Sequence, residues 1–136
     1  MRIEGWAERL DAMVAWHRAR PFEWGRTDCA TLFADCVTTL TGTDRAHALR
    51  GYTSQTGALR ALRSNGFETC GEFVRSEFPA IAPAHANRGD LAFLDPGIVH
   101  PLMSPCVVLG AFMVTRSEYE WMVFPRALAH SAFEVN

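Results

Sequence analysis

The chain contains no lysine: all thirteen of its Lys and Arg residues are arginine. The formal net charge is -2, so there is no overall basic field to indicate nucleic acid or an anionic membrane as a partner. No apolar run approaches the roughly 20 residues needed to cross a bilayer. Residues 1–6 lack the apolar core of a signal peptide. We therefore expect synthesis in the cytoplasm and no membrane span.

The chain also lacks any Cys-x-x-Cys pair among its four cysteines. Cys29 and Cys36 fall two helical turns apart, about 10 Å, which is too far for a disulfide. The cysteine spacing does not favour a zinc or iron–sulfur site, so we expect no cofactor. Cys36, Cys70 and Cys106 are interpreted as small buried apolar residues.

The length of 136 residues and the 49% hydrophobic content fit one domain over residues 1–136. Periodicity predicts helices over 3–18, 28–41, 53–65 and 68–78. Strands are predicted at Leu91–Leu94, Cys106–Leu109, Ala111–Thr115, Trp121–Phe124 and Ala132–Val135. Residues 79–87 and 95–105 are predicted to be irregular, and Arg88-Gly89-Asp90 is interpreted as a turn. Helices followed by strands indicate an α+β fold, with helices packed on an antiparallel sheet of four to six strands.

The segment Pro21-Phe22-Glu23-Trp24-Gly25-Arg26-Thr27-Asp28-Cys29 leads into the second helix. From Cys29, apolar residues recur at offsets of 3, 4, 7, 8 and 11, which is typical of a helix with one buried stripe. Thr27 or Asp28 can cap this helix, and Gly42 can end it. Cys29 then lies in the first turn, where the helix dipole favours a thiolate.

These motifs give the chain a family resemblance. The Trp24-Gly25-x-x-Asp28-Cys29 helix start and Arg88-Gly89-Asp90-Leu91 before the first core strand resemble the NlpC-type cell-wall peptidases. That resemblance implies a papain-like fold and a cysteine hydrolase acting on peptidoglycan. The chain is more closely similar to a small phage and prophage family associated with tails. The motifs shared with that family are Pro-Phe-x-Trp-Gly-x-x-Asp-Cys, Leu40-Thr41-Gly42, Arg50-Gly51-Tyr52 and Gly57-Ala58-Leu59-Arg60-Ala61-Leu62.

The resemblance implies Cys29 as nucleophile, and a cysteine nucleophile needs a base within hydrogen-bond reach. Counted back from Gly110, Ser104 occupies the position that the base holds in the resembled family, and serine cannot accept a thiol proton near neutral pH. The residue that would orient the base is expected on the next strand, which contains no His, Asn or Gln. His100, in the preceding loop, is the candidate replacement.

The other histidines carry no catalytic pattern. His17 and His130 are expected at the surface, and His47 and His85 in loops. Trp6, Trp16, Trp24 and Trp121 are large potential interface anchors, of which at least two are expected in the core.

Two hypotheses follow. The favoured one is a structural tail-tip protein, part of a baseplate or hub, that keeps the hydrolase fold without its chemistry. It would be located in the virion and would bind other tail-tip proteins in several copies. The alternative is an active tail-associated peptidase or amidase that uses Cys29 and His100 and has peptidoglycan as its partner.

Overall fold

The computed structural model describes residues 1–95 and 104–136. Within these residues the chain forms four α-helices followed by an antiparallel six-stranded sheet, which confirms the predicted α+β class. The helices are α1 (Trp6–Arg18), α2 (Cys29–Thr41), α3 (Gln55–Ser64) and α4 (Cys70–Glu77). The strands are β1 (Ala80–Ile81), β2 (Leu91–Phe93), β3 (Cys106–Val108), β4 (Phe112–Arg116), β5 (Trp121–Pro125) and β6 (Ser131–Phe133).

The spatial order of the strands is β1-β6-β2-β3-β4-β5, and every neighbouring pair is antiparallel. The last strand in the sequence therefore lies between β1 and β2. The prediction that residues 79–87 are wholly irregular is wrong, because Ala80 and Ile81 pair with Phe133 and Ala132. A two-residue strand has no periodicity of its own, so only its partner reveals it.

Helix α2 packs its predicted stripe into the main core, where Leu32, Phe33, Cys36, Val37 and Leu40 are all buried. This stripe meets α1, α4 and one face of the sheet. The helix ends at Gly42, whose φ of 77° is the left-handed conformation that terminates helices. Helix α1 starts later than predicted because Gly5, also left-handed at φ 74°, precedes it.

The opposite face of the sheet carries a second, smaller core. Its buried members are Ala86, Ala92, Leu94, Cys106, Val108, Met113 and Ala132. Two single 3-10 turns, Pro83–His85 and Arg126–Leu128, lie next to each other in this part of the fold. Arg126 joins them, because its Nη1 donates a 2.9 Å hydrogen bond to the carbonyl of Ala86.

The Arg88-Gly89-Asp90 segment is a turn, as predicted, closed by a 2.9 Å bond from the Asp90 amide to the Asn87 carbonyl. Asp90 is buried, and its Oδ1 accepts hydrogen bonds from Arg2 Nη2 at 2.9 Å and from the Val135 amide at 3.1 Å. The tripeptide is therefore built into the fold rather than displayed as a recognition loop.

Two of the four tryptophans pack against the main core, as expected, although both are only partly buried. Trp6, Trp24 and Trp121 are half-buried, while Trp16 is exposed. Trp6 and Trp121 pack against the main core, and the guanidinium of Arg20 lies 3.9 Å from the Trp16 ring centre.

Candidate functional site: a buried thiol at the start of helix α2

Cys29 is the first residue of α2, and Asp28 is its N-cap. The Asp28 carboxylate accepts a 2.7 Å hydrogen bond from the Thr31 amide, and the Thr31 hydroxyl oxygen accepts one of 3.0 Å from the Asp28 amide. This reciprocal pair is a capping box, which satisfies two amides that the helix itself leaves without partners. The predicted role of Asp28 as a cap is confirmed.

The same carboxylate also binds two groups outside the helix. Its Oδ2 accepts a hydrogen bond of 2.7 Å from the Gly25 amide and one of 2.6 Å from the Tyr52 hydroxyl. Asp28 is fully buried, so three donors surround a carboxylate that has no access to water.

Only glycine fits at position 25, next to the Tyr52 backbone. Its φ is +81°, and a Cβ at this position would lie 1.9 Å from the carbonyl oxygen of Tyr52. The Trp24-Gly25 loop therefore touches the backbone of the Arg50-Gly51-Tyr52 motif. Two motifs that are distant in the sequence meet at one carboxylate.

The thiol of Cys29 is closed off from solvent, with only 1% of the residue exposed. Burial raises the pKa of this thiol to about 12, and the negative charge of Asp28 also acts to raise it, whereas the Ser104 side chain acts to lower it. The backbone at the helix start does act to lower the pKa, as expected, but burial outweighs it. The cost of desolvating the anion exceeds what one helix terminus provides.

Ser104 lies just before β3, and the structure brings it to the thiol. Its hydroxyl interacts with Cys29 and donates to Cys70 Sγ at 3.6 Å, so it contacts two cysteines. Ser104 is itself buried. The residue that occupies the expected base position thus meets Cys29, and it carries a group that does not take up protons near neutral pH.

Cys70 is a neighbour of this site that the sequence analysis did not identify. It is the first residue of α4, capped by Thr69, whose hydroxyl oxygen accepts a 3.2 Å hydrogen bond from the Glu72 amide. Burial raises the pKa of the Cys70 thiol to about 11. The Thr-x-x-Glu pattern could have indicated this helix start. No local pattern could have indicated the contact with Ser104, which is 34 residues away.

His17 is fully buried, so the expectation of a surface position is wrong. It continues the buried stripe of Leu10 and Val14 on α1. Its Nε2 donates a 2.7 Å hydrogen bond to Asp35 Oδ2, and Arg50 Nη2 donates one of 2.8 Å to Asp35 Oδ1. His17 therefore hydrogen-bonds the same α2 carboxylate with which Arg50 forms an ion pair.

Three other histidines are solvent-exposed: His47, His85 and His130. His47 and His85 lie in 3-10 turns, and His130 comes directly before β6. His100 lies outside the described residues. The predicted pairing of Cys29 with His100 therefore stays a prediction.

An apolar crevice lies beside the thiol site, between α2 and α3. Phe33, Ala34, Leu49, Ala58 and Leu62 line it, together with Cys70. Tyr52 and Arg50 are among its polar members. Through Ala58 the crevice continues directly into the buried cluster that contains Cys29.

Fold and site together define an α+β protein with a capped, buried cysteine at the start of a core helix. The chain belongs to the family described as Domain of unknown function (DUF6950), whose sequence profile matches residues 1–135. Comparison with curated proteins gives no match, and comparison with solved structures gives none either.

The described part of the chain has neither a membrane-spanning helix nor a cluster of metal-binding side chains. No helix within 1–95 and 104–136 is long and apolar enough to cross a membrane. In the same two ranges, no three or more His, Cys, Asp or Glu side chains come together in a way that could hold a metal ion. The four cysteines are free and buried, in agreement with the apolar role expected for Cys36, Cys70 and Cys106.

Proposed function

We propose that this chain is a structural component of a phage tail tip, with an NlpC-type hydrolase fold whose cysteine serves packing rather than catalysis. The observation that carries the proposal is the environment of Cys29. The thiol is buried, its pKa is raised to about 12, and its polar neighbour is Ser104 rather than a base. The tail assignment rests on the family resemblance, which implies a location in the virion.

The chemistry supports a non-catalytic role. Peptide cleavage by a thiol requires a thiolate and a base that removes its proton. Asp28 is held by three donors, and the Ser104 hydroxyl is a weak base. Cys29 then acts as a small apolar residue that packs beside the Asp28 cap.

Peptidoglycan digestion tests this directly. We expect purified sacculi incubated with the wild-type protein to release no more stem peptide than sacculi incubated with Cys29→Ala. Release by the wild type that disappears in Cys29→Ala would refute the structural hypothesis. A matched control, Cys106→Ala, removes a buried thiol that lies in the second core, away from the site.

The tail role has its own test. Particles from a phage lacking this gene should have an abnormal tail tip or no tail, and the protein should be recovered in purified virions with other tail-tip proteins. Complete particles with normal tails, formed without the protein, would argue against a structural role.

The alternative, an active peptidase or amidase, is favoured by one observation. Cys29 is the first residue of a capped helix and lies next to an apolar crevice. In this case sacculus digestion should require both Cys29 and His100. His130→Ala is the matched control, because His130 precedes β6 and lies outside the thiol site. Deletion particles would look normal and adsorb, but would fail to inject DNA.

A further inference from the structure

Strand β5 forms one edge of the sheet. It is bound to β4 on one side, and within the part of the chain that the structure describes no strand pairs with its other side. The opposite edge strand, β1, has only two residues, whereas β5 has five. A long edge strand presents unpaired amides and carbonyls that can bind a further strand.

The register shows which backbone groups of β5 point outward. The Ser117 amide bonds to the Glu120 carbonyl at 2.9 Å, and the Arg126 amide bonds to the Ala111 carbonyl at 2.8 Å. In an antiparallel pair, hydrogen-bonded positions alternate along the strand. Positions 120, 122, 124 and 126 therefore face β4, and the backbone groups of Trp121, Val123 and Pro125 face away from it.

This outer part of the sheet also exposes apolar side chains. Val123 is 52% exposed, and Phe112 on β4 is 55% exposed. Val123 lies opposite Val114 and Phe112 lies opposite Pro125, so Phe112 and Val123 are diagonal neighbours on one face of the sheet. The strand edge thus adjoins an apolar surface that the helices do not cover.

We propose that β5 pairs antiparallel with β5 of a second copy of this chain, about a twofold axis at Val123. The Val123 amide and carbonyl then bond to the carbonyl and amide of Val123 in the second copy. The Trp121 amide bonds to the Pro125 carbonyl of the second copy. By symmetry, the Trp121 amide of the second copy bonds to the Pro125 carbonyl of the first. Proline lacks an amide, but Pro125 needs only its carbonyl here. The two exposed valines meet at the axis and extend the apolar face across both copies.

The charges around β5 favour this antiparallel register over a parallel one. With Val123 on the axis, Glu120 of each copy lies directly opposite Arg126 of the other, so two pairs of opposite charge form. The nearest alternative, a parallel pairing with the same strand, would place Glu120 against Glu120. Opposite charges across neighbouring strands stabilise a pair, and like charges oppose it. Arg126 uses Nη1 for the Ala86 carbonyl, and its other guanidinium N–H groups are donors of the kind that a carboxylate binds.

The first test is the mass of the protein in solution, measured by sedimentation equilibrium from micromolar to millimolar concentration. We expect a reversible shift from the 15.1 kDa of one chain to twice that mass. The Val123→Pro substitution removes an outward amide that β4 does not use. It should weaken the dimer about tenfold or more while leaving the thermal midpoint of the dilute monomer nearly unchanged.

Charge reversal provides an independent test that does not depend on proline. Glu120→Arg places like charges opposite each other and should weaken the dimer, and Glu120→Arg with Arg126→Glu should restore it. Tyr119→Ser is the matched control, since Tyr119 lies at the exposed hairpin tip beyond the paired segment. A monomer at every concentration would overturn the proposal, as would a dimer insensitive to both Val123→Pro and Glu120→Arg. The proposal rests on β5 alone and does not depend on the tail role.

Discussion

The hydroxyl of Tyr52 donates a 2.6 Å hydrogen bond to Oδ2 of Asp28, the residue that caps α2. This bond joins the loop after α2 to the residue before the cysteine, across 24 positions of sequence. Burial and the neighbouring Asp28 charge both raise the pKa of the Tyr52 phenol, so it remains a donor at all ordinary pH values. The geometry at the start of α2 therefore depends on a loop outside that helix.

The capping cluster should be a major source of stability. Asp28→Ala removes the cap and leaves buried donors unpaired, so we expect it to lower the free energy of unfolding by about 3–5 kcal/mol. Tyr52→Phe removes one bond and should cost about 1–2 kcal/mol. Urea denaturation measures both. Ser54→Ala, which removes the more exposed cap of α3, should cost only about 1 kcal/mol. An Asp28→Ala cost no greater than that of Ser54→Ala would contradict the prediction.

Gly25 should tolerate no side chain. In Gly25→Ala the new Cβ would overlap the Tyr52 carbonyl, so the loop must move and the Asp28 bonds with it. Gly51→Ala is the matched control, because Gly51 also has positive φ but a Cβ added there would meet nothing within 4 Å. Gly51→Ala should cost only the roughly 1–2 kcal/mol of left-handed backbone. Thermal or urea unfolding should show a clearly larger loss for Gly25→Ala, and equal losses would refute the clash.

All four thiols should react slowly in the native protein. Burial raises the pKa values of Cys29, Cys36 and Cys106 to about 12 and that of Cys70 to about 11. Iodoacetamide near pH 8 should therefore label each of them slowly, and quickly once urea unfolds the chain, since thiolate is the reactive form. Mass spectrometry of tryptic peptides gives the rate at each site. Rapid labelling of Cys29 alone in the folded protein would indicate an activated nucleophile.

Asp35 should make folding sensitive to acid. Burial acts to raise its pKa, but the hydrogen bonds from His17 and Arg50 outweigh this and hold the pKa below its usual value. The ionised form is thus preferred in the folded state, so the stabilisation is present above the ordinary Asp pKa of about 3.9 and is lost as pH falls through the lower folded value.

Urea unfolding at a series of pH values measures this effect. Wild-type protein should lose more stability than Asp35→Asn between about pH 5 and pH 2. Glu4→Gln is the control, since Glu4 is exposed and should leave the acid dependence as in the wild type. If the free energy of unfolding fell equally with pH in the wild type and in Asp35→Asn, Asp35 would contribute nothing to the acid sensitivity.

The sequence predicted best what local forces determine. The cap, the apolar stripe and the terminating glycine of α2 all lie within residues 28–42, and each was predicted correctly. It predicted poorly what depends on distant partners. β1 exists through its pairing with β6, and Asp35, which hydrogen-bonds the buried ring of His17, lies on another helix.

The thiol site shows the same division. Family resemblance and spacing identified Cys29 and Ser104, whereas the contact of Ser104 with Cys70 arises only when α4 and the start of β3 meet. The high pKa of Cys29 depends on burial, which a helix-dipole argument from sequence does not include.

The position of β6 between β1 and β2 has a consequence for synthesis on the ribosome. Residues 131–133 emerge after the other five strands of the described sheet. In that sheet β1 has no other partner, and β2 lacks one neighbour until residues 131–133 arrive. The hairpin of β4 and β5 can form early because its strands are adjacent in sequence. We therefore expect β1 to stay unpaired in the nascent chain until β6 is released from the ribosome. A chain interrupted before Ser131 would expose β2 as an edge strand that is prone to aggregation.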